Sequence, residues 1–219
     1  MEDLALRIEL IGAARRMNAL GINQGTSGNV SARAGQRMLI TPTSVAYDDL
    51  EPALLASAML EADPSWDGPL PPSSEWRLHF EIYCAFPAAQ AVVHTHAIFA
   101  TVLAMARREI PACHYMAGIF GGAPIRCADY ATFGTQEFAD LAVKAMSDRS
   151  ACLLANHGMV VWGESLAHAL WRAVELETLA KQYYHSLLIG GPALLSGAEM
   201  AETAARLHGY GIAAKPKQV

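Results

Sequence analysis

The sequence predicts a single α/β domain in which a central, mainly antiparallel sheet is flanked by helices. Segments with helical periodicity alternate along the chain with short apolar runs that are typical of strands. Several of these runs are separated by only a few turn residues, and connections that short favour antiparallel pairing. The chain has 219 residues, of which 53% are hydrophobic and 17% are charged, so it can bury one substantial core.

The N-terminal half begins with a helix and continues through strands and polar loops. Leu4, Ile8 and Ile11 recur at helical spacing, which predicts a helix that Asp3 caps and that ends near Gly21. A cluster of prolines and glycines at 63–72 predicts a surface loop. The other elements expected here are strands at 30–33 and 38–41, a helix capped by Ser73 or Ser74 and stopped by Pro87, and a buried strand leading from Gln90 into His94-Thr95-His96.

The C-terminal half continues the alternation with longer helices. Helical patterns occupy 98–107, 135–146, 164–189 and 197–208, and Thr135 is of the residue type that caps a helix. Two short apolar runs, 152–155 and 159–162, flank His157 and predict paired strands. We expect a Gly- and Pro-rich loop at 118–124 and a mobile tail from about 209 in a single domain that spans 1–219.

The composition argues against several classes of partner. The formal net charge is −5 and basic residues form no block, so neither nucleic acid nor an anionic membrane is expected as a main partner. The start, Met1-Glu2-Asp3, lacks the positive segment of a signal peptide, and the apolar runs are shorter than a membrane span. The four cysteines lack CxxC spacing and predict buried free thiols, which favours the cytoplasm: Cys84, Cys113, Cys127 and Cys152.

Two histidines two residues apart, His94 and His96, follow the buried run at 90–93. Side chains alternate along a strand, so these two imidazoles share a face and can point at one ion. A third imidazole, His157, stands in a turn beside Gly158. Three neutral nitrogens with room for a carboxylate, water or substrate are the ligand set of a catalytic zinc-type ion. A lone His-x-His pair is more often simply packed or solvated, so the shared face and the third histidine carry this prediction.

Three short segments are rich in small hydroxyl and amide residues: 25–29, 41–44 and 73–74. Each can be an ordinary turn or helix cap, and Glu75 by itself can be an acidic residue in the first turn of a helix. Together they also match a phosphate site, which uses backbone N–H groups, Ser/Thr hydroxyls and a helix N-terminus rather than many cations.

Five motifs, read in chain order, resemble the class II aldolase/adducin family, and the resemblance covers the chain from roughly Leu4 to Tyr210. They are Gly25-Thr26-Ser27-Gly28-Asn29-Val30-Ser31, Ile40-Thr41-Pro42-Thr43-Ser44, Pro72-Ser73-Ser74-Glu75-Trp76, His94-Thr95-His96-Ala97 and Ala155-Asn156-His157-Gly158. Within the family, the resemblance is greatest to members that cleave ketose 1-phosphates such as L-fuculose 1-phosphate.

The resemblance implies roles for individual residues. His94, His96, His157 and Glu75 would bind a divalent ion, usually zinc, although manganese and cobalt tolerate the same donors. Glu75 would also be the base, Tyr115 the acid, and Tyr210 a catalytic residue from the C-terminal tail, with Phe133 near the aldehyde pocket. The phosphate would be held by Gly28, Asn29, Thr43, Ser44, Ser73 and Ser74, and Ser44 departs from the glycine that many members carry. The family is typically a homotetramer with its sites between subunits.

The implied activity is that of a carbon–carbon lyase that produces dihydroxyacetone phosphate and a short aldehyde through a metal-stabilised enediolate. The chain has only four lysines and none lies in these motifs, which favours metal-based over Schiff-base chemistry. Three alternatives stay open at this point: a decarboxylase of a phosphorylated 3-oxo sugar acid, a pentulose-5-phosphate 4-epimerase, and a non-catalytic module like the adducin head. The intact metal-ligand set and the pairing of Glu75 with Tyr115 favour the aldolase.

Overall fold

The computed structural model describes residues 3–61 and 64–207. The strands in these residues form one sheet in the order β4-β3-β2-β1-β5-β8-β7-β6. Neighbouring strands are antiparallel except for β6 and β7, which confirms the predicted class of a mainly antiparallel sheet. The strands are β1 Asn29–Ala34, β2 Arg37–Ile40, β3 Ala56–Met59, β4 Trp66–Asp67, β5 Ala91–Thr95, β6 Cys127–Ala128, β7 Ala151–Leu154 and β8 Gly158–Gly163.

Helices cover both faces of this sheet and divide the core into two clusters. The α-helices of the described residues are α1 Leu4–Ala19, α2 Trp76–Ala85, α3 Ile98–Met105, α4 Gln136–Ala145, α5 Leu166–Leu188 and α6 Gly197–Leu207. Buried residues of α1, α3 and α5 form one cluster, and those of α2 and α4 form the other. None of the helices in the described ranges has the length and apolarity that a membrane span requires.

The alternation of side chains along β5 decides where the histidines lie. Ala91 and Val93 belong to the α1, α3 and α5 cluster, whereas Val92 belongs to the cluster of α2 and α4. His94 follows Val92 by two residues and therefore points to the α2 and α4 side. The first turn of α2 and the surface of α4 are thus the neighbours of the histidine pair.

Several predicted boundaries were wrong. The expected loop at 63–72 contains β4, and the expected loop at 118–124 begins inside a 3₁₀-helix at Tyr115–Phe120. Strands β3 and β6 were not predicted, and α3 ends at Met105 rather than at Arg107. Asp3 precedes α1 in a left-handed conformation and its side chain makes no capping hydrogen bond.

The cysteine prediction is confirmed in part. All four thiols are free, as expected. Only Cys152 is fully buried, while Cys113 and Cys127 are half-buried and Cys84 is exposed. The general expectation of burial was therefore wrong for Cys84, which stands near the end of α2 where the helix meets solvent. Tyr210 and the tail from about 209 lie outside the described residues.

Candidate active site

Four side chains converge at the end of β5: His94, His96, His157 and Glu75. One nitrogen of each histidine lies within 4.8 Å of the corresponding nitrogens of the other two. The Nε2 atoms of His94 and His96 are 3.2 Å apart. Glu75 closes the group, because its Oε2 lies 3.1 Å from His94 Nε2 and its Oε1 lies 3.1 Å from His157 Nε2.

His157 reaches the pair because Gly158 has no side chain where β8 begins beside the end of β5. The two strands are antiparallel, with Thr95 opposite Met159, and residues 155–157 connect β7 to β8. A Cβ on Gly158 would lie 2.5 Å from the carbonyl oxygen of Thr95 and 3.0 Å from the ring of His96. Only glycine permits this approach, and Asn156, with φ of 56°, supplies the left-handed residue that the turn needs.

Glu75 is placed by the start of α2. It is the residue that precedes the first helical turn, and its backbone N–H donates to Ser73 Oγ at 3.3 Å. The prediction that Ser73 or Ser74 caps this helix was wrong: Glu75 is the N-cap residue, no side chain caps the helix, and Ser73 bonds only the N–H of Glu75 before the first turn. On the opposite side, Phe138 of α4 stacks on His157 with ring centroids 5.1 Å apart. The start of α2 thus positions the carboxylate, and α4 packs against the third imidazole.

The donor and acceptor pattern of this group fits a cation. His94 Nδ1 lies 2.9 Å from the carbonyl oxygen of Met159, which can only accept, so Nδ1 carries the proton and the Nε2 of a neutral ring presents a lone pair. That lone pair faces the Glu75 carboxylate, which also only accepts. Glu75 Oε1 is buried and takes part in no hydrogen bond. Several lone pairs converging in a buried space are stabilised by a divalent ion or by a shared proton.

The pKa values of the group describe the same situation. Burial raises the pKa of Glu75, but the adjacent His94 and His157 outweigh burial, so the pKa lies well below its usual range. Burial lowers the pKa of His94, and Glu75 more than offsets this and raises it. His96 is lowered to a pKa of about 4 by burial and then by the two neighbouring histidines. The carboxylate therefore stays charged, as a ligand of a divalent ion must be.

A cavity of about 460 Å³ opens beside this group. Its wall includes both polar and aromatic residues. The lining residues are Ser27, Ser74, Glu75, His96, Tyr130, Ala131, Phe133, Asn156 and His157. A larger cavity of about 1040 Å³ lies between α3 and α5 and contains none of the three histidines. The candidate site is therefore identified by the histidines and the glutamate that line the cavity and not by the volume of the cavity.

The polar loops that the sequence singled out are held together near this cavity. The backbone N–H of Thr43 donates to Pro71 at 3.2 Å, and that of Ser73 donates to Thr41 at 3.0 Å. The Tyr47 hydroxyl donates to the backbone oxygen of Gly28, which joins the first loop to the second. These bonds bring 25–29, 41–44 and 73–74 to one end of the sheet, as a shared anion site requires.

Three of the predicted phosphate residues have individual features. Ser44 has φ of 59°, a conformation that favours the glycine found in many family members. A Cβ on Gly28 would lie 2.5 Å from Asn23 Oδ1 and 2.6 Å from the His94 carbonyl oxygen, so this position requires glycine. The side chain of Asn29 is buried and donates to Glu75 at 3.0 Å, so in this structure it serves the carboxylate.

Not every predicted residue lies at the cavity of its own chain. Tyr115 is exposed and stacks on His114, and it is absent from the cavity wall. Phe133 does line the cavity, as expected from the resemblance. Sequence reasoning missed Tyr130 and Ala131, which precede it. Neither residue falls in a motif or in a periodic segment, so only the path of the chain between β6 and α4 reveals them.

Comparisons with known proteins identify the family of the chain. A sequence model of the family described as "Class II Aldolase and Adducin N-terminal domain" matches residues 8–184. The chain is 48% identical, over 95% of its length and 93% of the relative, to the 5-methylthioribulose-1-phosphate/5-deoxyribulose-1-phosphate aldolase of Rhodospirillum rubrum. It is 40% identical, over 97% of its length and 98% of the relative, to the L-fuculose phosphate aldolase of Escherichia coli K12. A solved L-fuculose 1-phosphate aldolase superposes with a TM-score of 0.89 at 34% identity, covering 95% of this chain and 97% of that one.

Proposed function

The chain belongs to the class II aldolase and adducin family, and from that premise we propose that it cleaves a ketose 1-phosphate into dihydroxyacetone phosphate and a short aldehyde. The carbon–carbon lyase activity belongs to the aldolases that it resembles over nearly its whole length. The observation that carries the proposal is the histidine triad closed by Glu75 beside three hydroxyl-rich loops. We infer from this that a metal site and an anion site share one end of the sheet.

We assign His94, His96, His157 and Glu75 as the ligands of a divalent ion and propose zinc as that ion. Imidazole and carboxylate donors suit zinc, and they also accept manganese and cobalt. When bound, such an ion supplies Lewis-acid stabilisation of the negative charge that develops on the substrate oxygens. The buried, unbonded Oε1 of Glu75 and the lone pair of His94 are the groups that such an ion would satisfy.

Two proton transfers on the chain's own groups balance the cleavage. Tyr115 takes the proton of the C4 hydroxyl, whose oxygen becomes the aldehyde carbonyl as the C3–C4 bond breaks. The electron pair of that bond stays with C3 and gives the enediolate of dihydroxyacetone phosphate. Glu75, after taking a proton from solvent, gives it to C3 and returns to the carboxylate; in the condensation direction the same carboxylate removes that proton. Tyr115 acts as the phenolate in cleavage and as the phenol, the acid, in condensation, and solvent takes the proton that it gains. One proton therefore leaves C4–OH, one arrives at C3, and exchange with solvent restores both groups.

We propose that Gly28, Asn29, Thr43, Ser44, Ser73 and Ser74 surround the phosphate. Ser27 and Ser74, from two of the three loops, line the cavity together with Glu75, which supports a phosphate close to the reacting carbon. Thr43 and Ser44 are exposed and available to a ligand. For Asn29 this role requires its amide to be shared with Glu75, to which it donates.

The aromatic residues of the cavity wall indicate which aldehyde half of a substrate would fit. Tyr130, Ala131 and Phe133 contribute aromatic and apolar surface to the cavity wall. We therefore favour an aldehyde with an apolar end, such as those released from 5-deoxyribulose 1-phosphate or its 5-methylthio derivative, which the R. rubrum relative is named for. L-fuculose 1-phosphate, named for the E. coli relative, is the second candidate.

We further propose a homotetramer in which Tyr115 serves the site of a neighbouring subunit. Its exposed ring and its absence from the cavity of its own chain support this arrangement. Tyr210 is proposed as a further catalytic residue, on the resemblance alone. The four free thiols support the cytoplasm as the compartment.

A substrate panel tests the proposal. Purified protein is offered ketose 1-phosphates, pentulose 5-phosphates and 3-oxo sugar-acid phosphates, each with and without chelator. Chelator-sensitive release of dihydroxyacetone phosphate from the first group alone is the expected result. Carbon dioxide from the third group would establish a decarboxylase, epimerisation of the second an epimerase, and inactivity of the metal-loaded protein on all three an adducin-like binding module.

A further inference from the structure

Behind Glu75, four buried polar side chains form a continuous chain between β1 and α2: Asn29, His79, Ser31 and Tyr83. Asn29 Nδ2 lies 3.0 Å from Glu75 Oε2, and Asn29 Oδ1 lies 2.5 Å from His79 Nε2. The other ring nitrogen of His79 lies 2.7 Å from Ser31 Oγ, which is 2.9 Å from the Tyr83 hydroxyl. The proposed mechanism uses none of His79, Ser31 and Tyr83.

The donor and the acceptor of every hydrogen bond in this series of side chains are fixed by its first member, the Glu75 carboxylate. The Glu75 carboxylate only accepts, so the Asn29 atom that faces it is the amide nitrogen, and Oδ1 faces His79. Oδ1 only accepts, so His79 carries its proton on Nε2 and leaves a lone pair on Nδ1. Ser31 must then donate to His79, which leaves Tyr83 as the donor to Ser31. All four donors point towards Glu75, and hydrogen bonds aligned in this way strengthen one another.

His79 is the residue that fixes this polarity. The other tautomer would place a proton towards Ser31 and a lone pair towards Asn29, which would turn the Asn29 carbonyl towards the carboxylate. Burial, and then the charge of His94, lowers the pKa of His79 to about 3, so the ring is neutral and has one donor and one acceptor. The hydrogen-bonded series requires a residue that donates towards Asn29 and accepts from Ser31, and neutral His79 does both.

We propose that His79 is a positioning residue for the aldolase reaction, holding the Asn29 amide so that it donates to the Glu75 carboxylate. The inference rests on the proposed function, because it assumes that Glu75 is the base. Asn29 touches the reacting carboxylate, whereas His79 acts only through Asn29. The aligned donors stabilise the charged form of Glu75 and fix its orientation beside His94 and His157.

A matched pair of amide variants separates this role from simple packing. In His79→Gln the side-chain amide reaches the place of Nε2 and can still donate to Asn29. In His79→Asn the shorter amide reaches only the place of Nδ1 and can bond only to Ser31. We expect His79→Asn to lower kcat by about 10–100-fold, the usual cost of removing an outer partner of a metal-site ligand, with KM and metal content preserved. His79→Gln is expected to recover most of that loss.

If His79→Asn and His79→Gln lose the same kcat, and that loss follows their loss of thermal stability, the proposal is overturned. His79 would then have only a structural role. A second measurement needs no variant and keeps the test intact if neither variant folds. In the zinc-loaded wild-type enzyme, ¹⁵N NMR of the His79 ring is expected to show a proton on Nε2 and none on Nδ1. A proton on Nδ1 instead would overturn the proposal. This tautomer does not depend on which substrate is cleaved, so it distinguishes failure of the inference from failure of the proposed function.

Discussion

The inner ring of the candidate site and its rim are built in different ways. The inner ring consists of Glu75 and the three histidines, which are buried or half-buried and are held by contacts within the chain. The rim consists of Ser27, Ser44, Ser74, Tyr130 and Phe133, which are exposed. Removing a buried charged or polar group leaves its partner unpaired, whereas water can replace an exposed one. On the proposed function, we expect changes in the ring to affect metal binding and the reaction itself, and changes in the rim to affect substrate preference.

Removal of a ring histidine should have the largest effect. We expect His157→Ala to lose bound metal and to lower kcat/KM on the order of 10³-fold or more, because a ligand is worth more than the outer partners whose loss costs up to about 100-fold. Metal analysis by mass spectrometry and steady-state kinetics check this. His185→Ala is the control, since His185 lies on α5 outside the histidine group and should keep its metal. Unchanged metal stoichiometry in His157→Ala would reject the ligand assignment.

A change at Gly158 should disturb the ring without removing any ligand. Gly158→Ala places a Cβ 2.5 Å from the carbonyl oxygen of Thr95, so β8 must move away from β5. We expect a loss of about 1–3 kcal/mol of unfolding free energy and weaker metal binding. Urea unfolding and metal titration measure the two effects. Gly12→Ala, in the interior of α1 with open space around it, should instead stabilise by up to about 1 kcal/mol. If both variants are equally stable, the close approach of the strands is not what holds His157.

These ring residues show how much the sequence could predict. His94 and His96 are placed by the two-residue period of a strand, and that period is visible without a structure. Glu75 and His157 were recognised through motifs, because nothing local says that α2 and β8 meet at β5. The partnership of His79 with Asn29 was not foreseen, since it joins residues 50 positions apart. The period of a helix or a strand is a property of one segment and can be seen in the sequence. Which side chains of different segments pair depends on how the fold packs.

The same contrast explains the errors in the fold. Long helices such as α5 were predicted because an amphipathic pattern repeats many times along them. Strand β6 has two residues and β3 begins with three small residues, Ala56-Ser57-Ala58, so neither carries a recognisable alternation. Cys84 was assigned to the core by its apolar neighbours, but the turn of α2 places it at the surface.

A change at the rim should alter substrate preference and leave the ring intact. We expect Phe133→Ala to lower kcat/KM for the ketose 1-phosphate by about 10–100-fold, the range for losing apolar contacts to one part of a substrate. Its metal content should equal that of the wild type. Leu194→Ala is a control of equal exposure, since both side chains are 59% exposed and Leu194 is not part of the cavity wall. Loss of metal in Phe133→Ala would show that ring and rim are not independent.

The smallest effect is expected at Ser44, whose φ of 59° strains a residue with a Cβ. Ser44→Gly should raise the unfolding free energy by about 1 kcal/mol, because glycine adopts this conformation without steric cost. The urea midpoint measures the change. Ser147→Gly is the matched control, because Ser147 is also exposed but has no positive φ, and there glycine should not stabilise. A lower midpoint for Ser44→Gly would show that the serine hydroxyl contributes more than its strained backbone costs.

Proton exchange at C3 of dihydroxyacetone phosphate tests the central claim most directly. In deuterium oxide the zinc-loaded wild-type enzyme should exchange this proton, because the base removes it without any aldehyde being present. Glu75→Gln retains the three histidines but lacks the base, so it should keep its metal and lose exchange by on the order of 10²–10⁴-fold. Exchange at the wild-type rate by metal-loaded Glu75→Gln would contradict the account, since the proton would then be taken by another group.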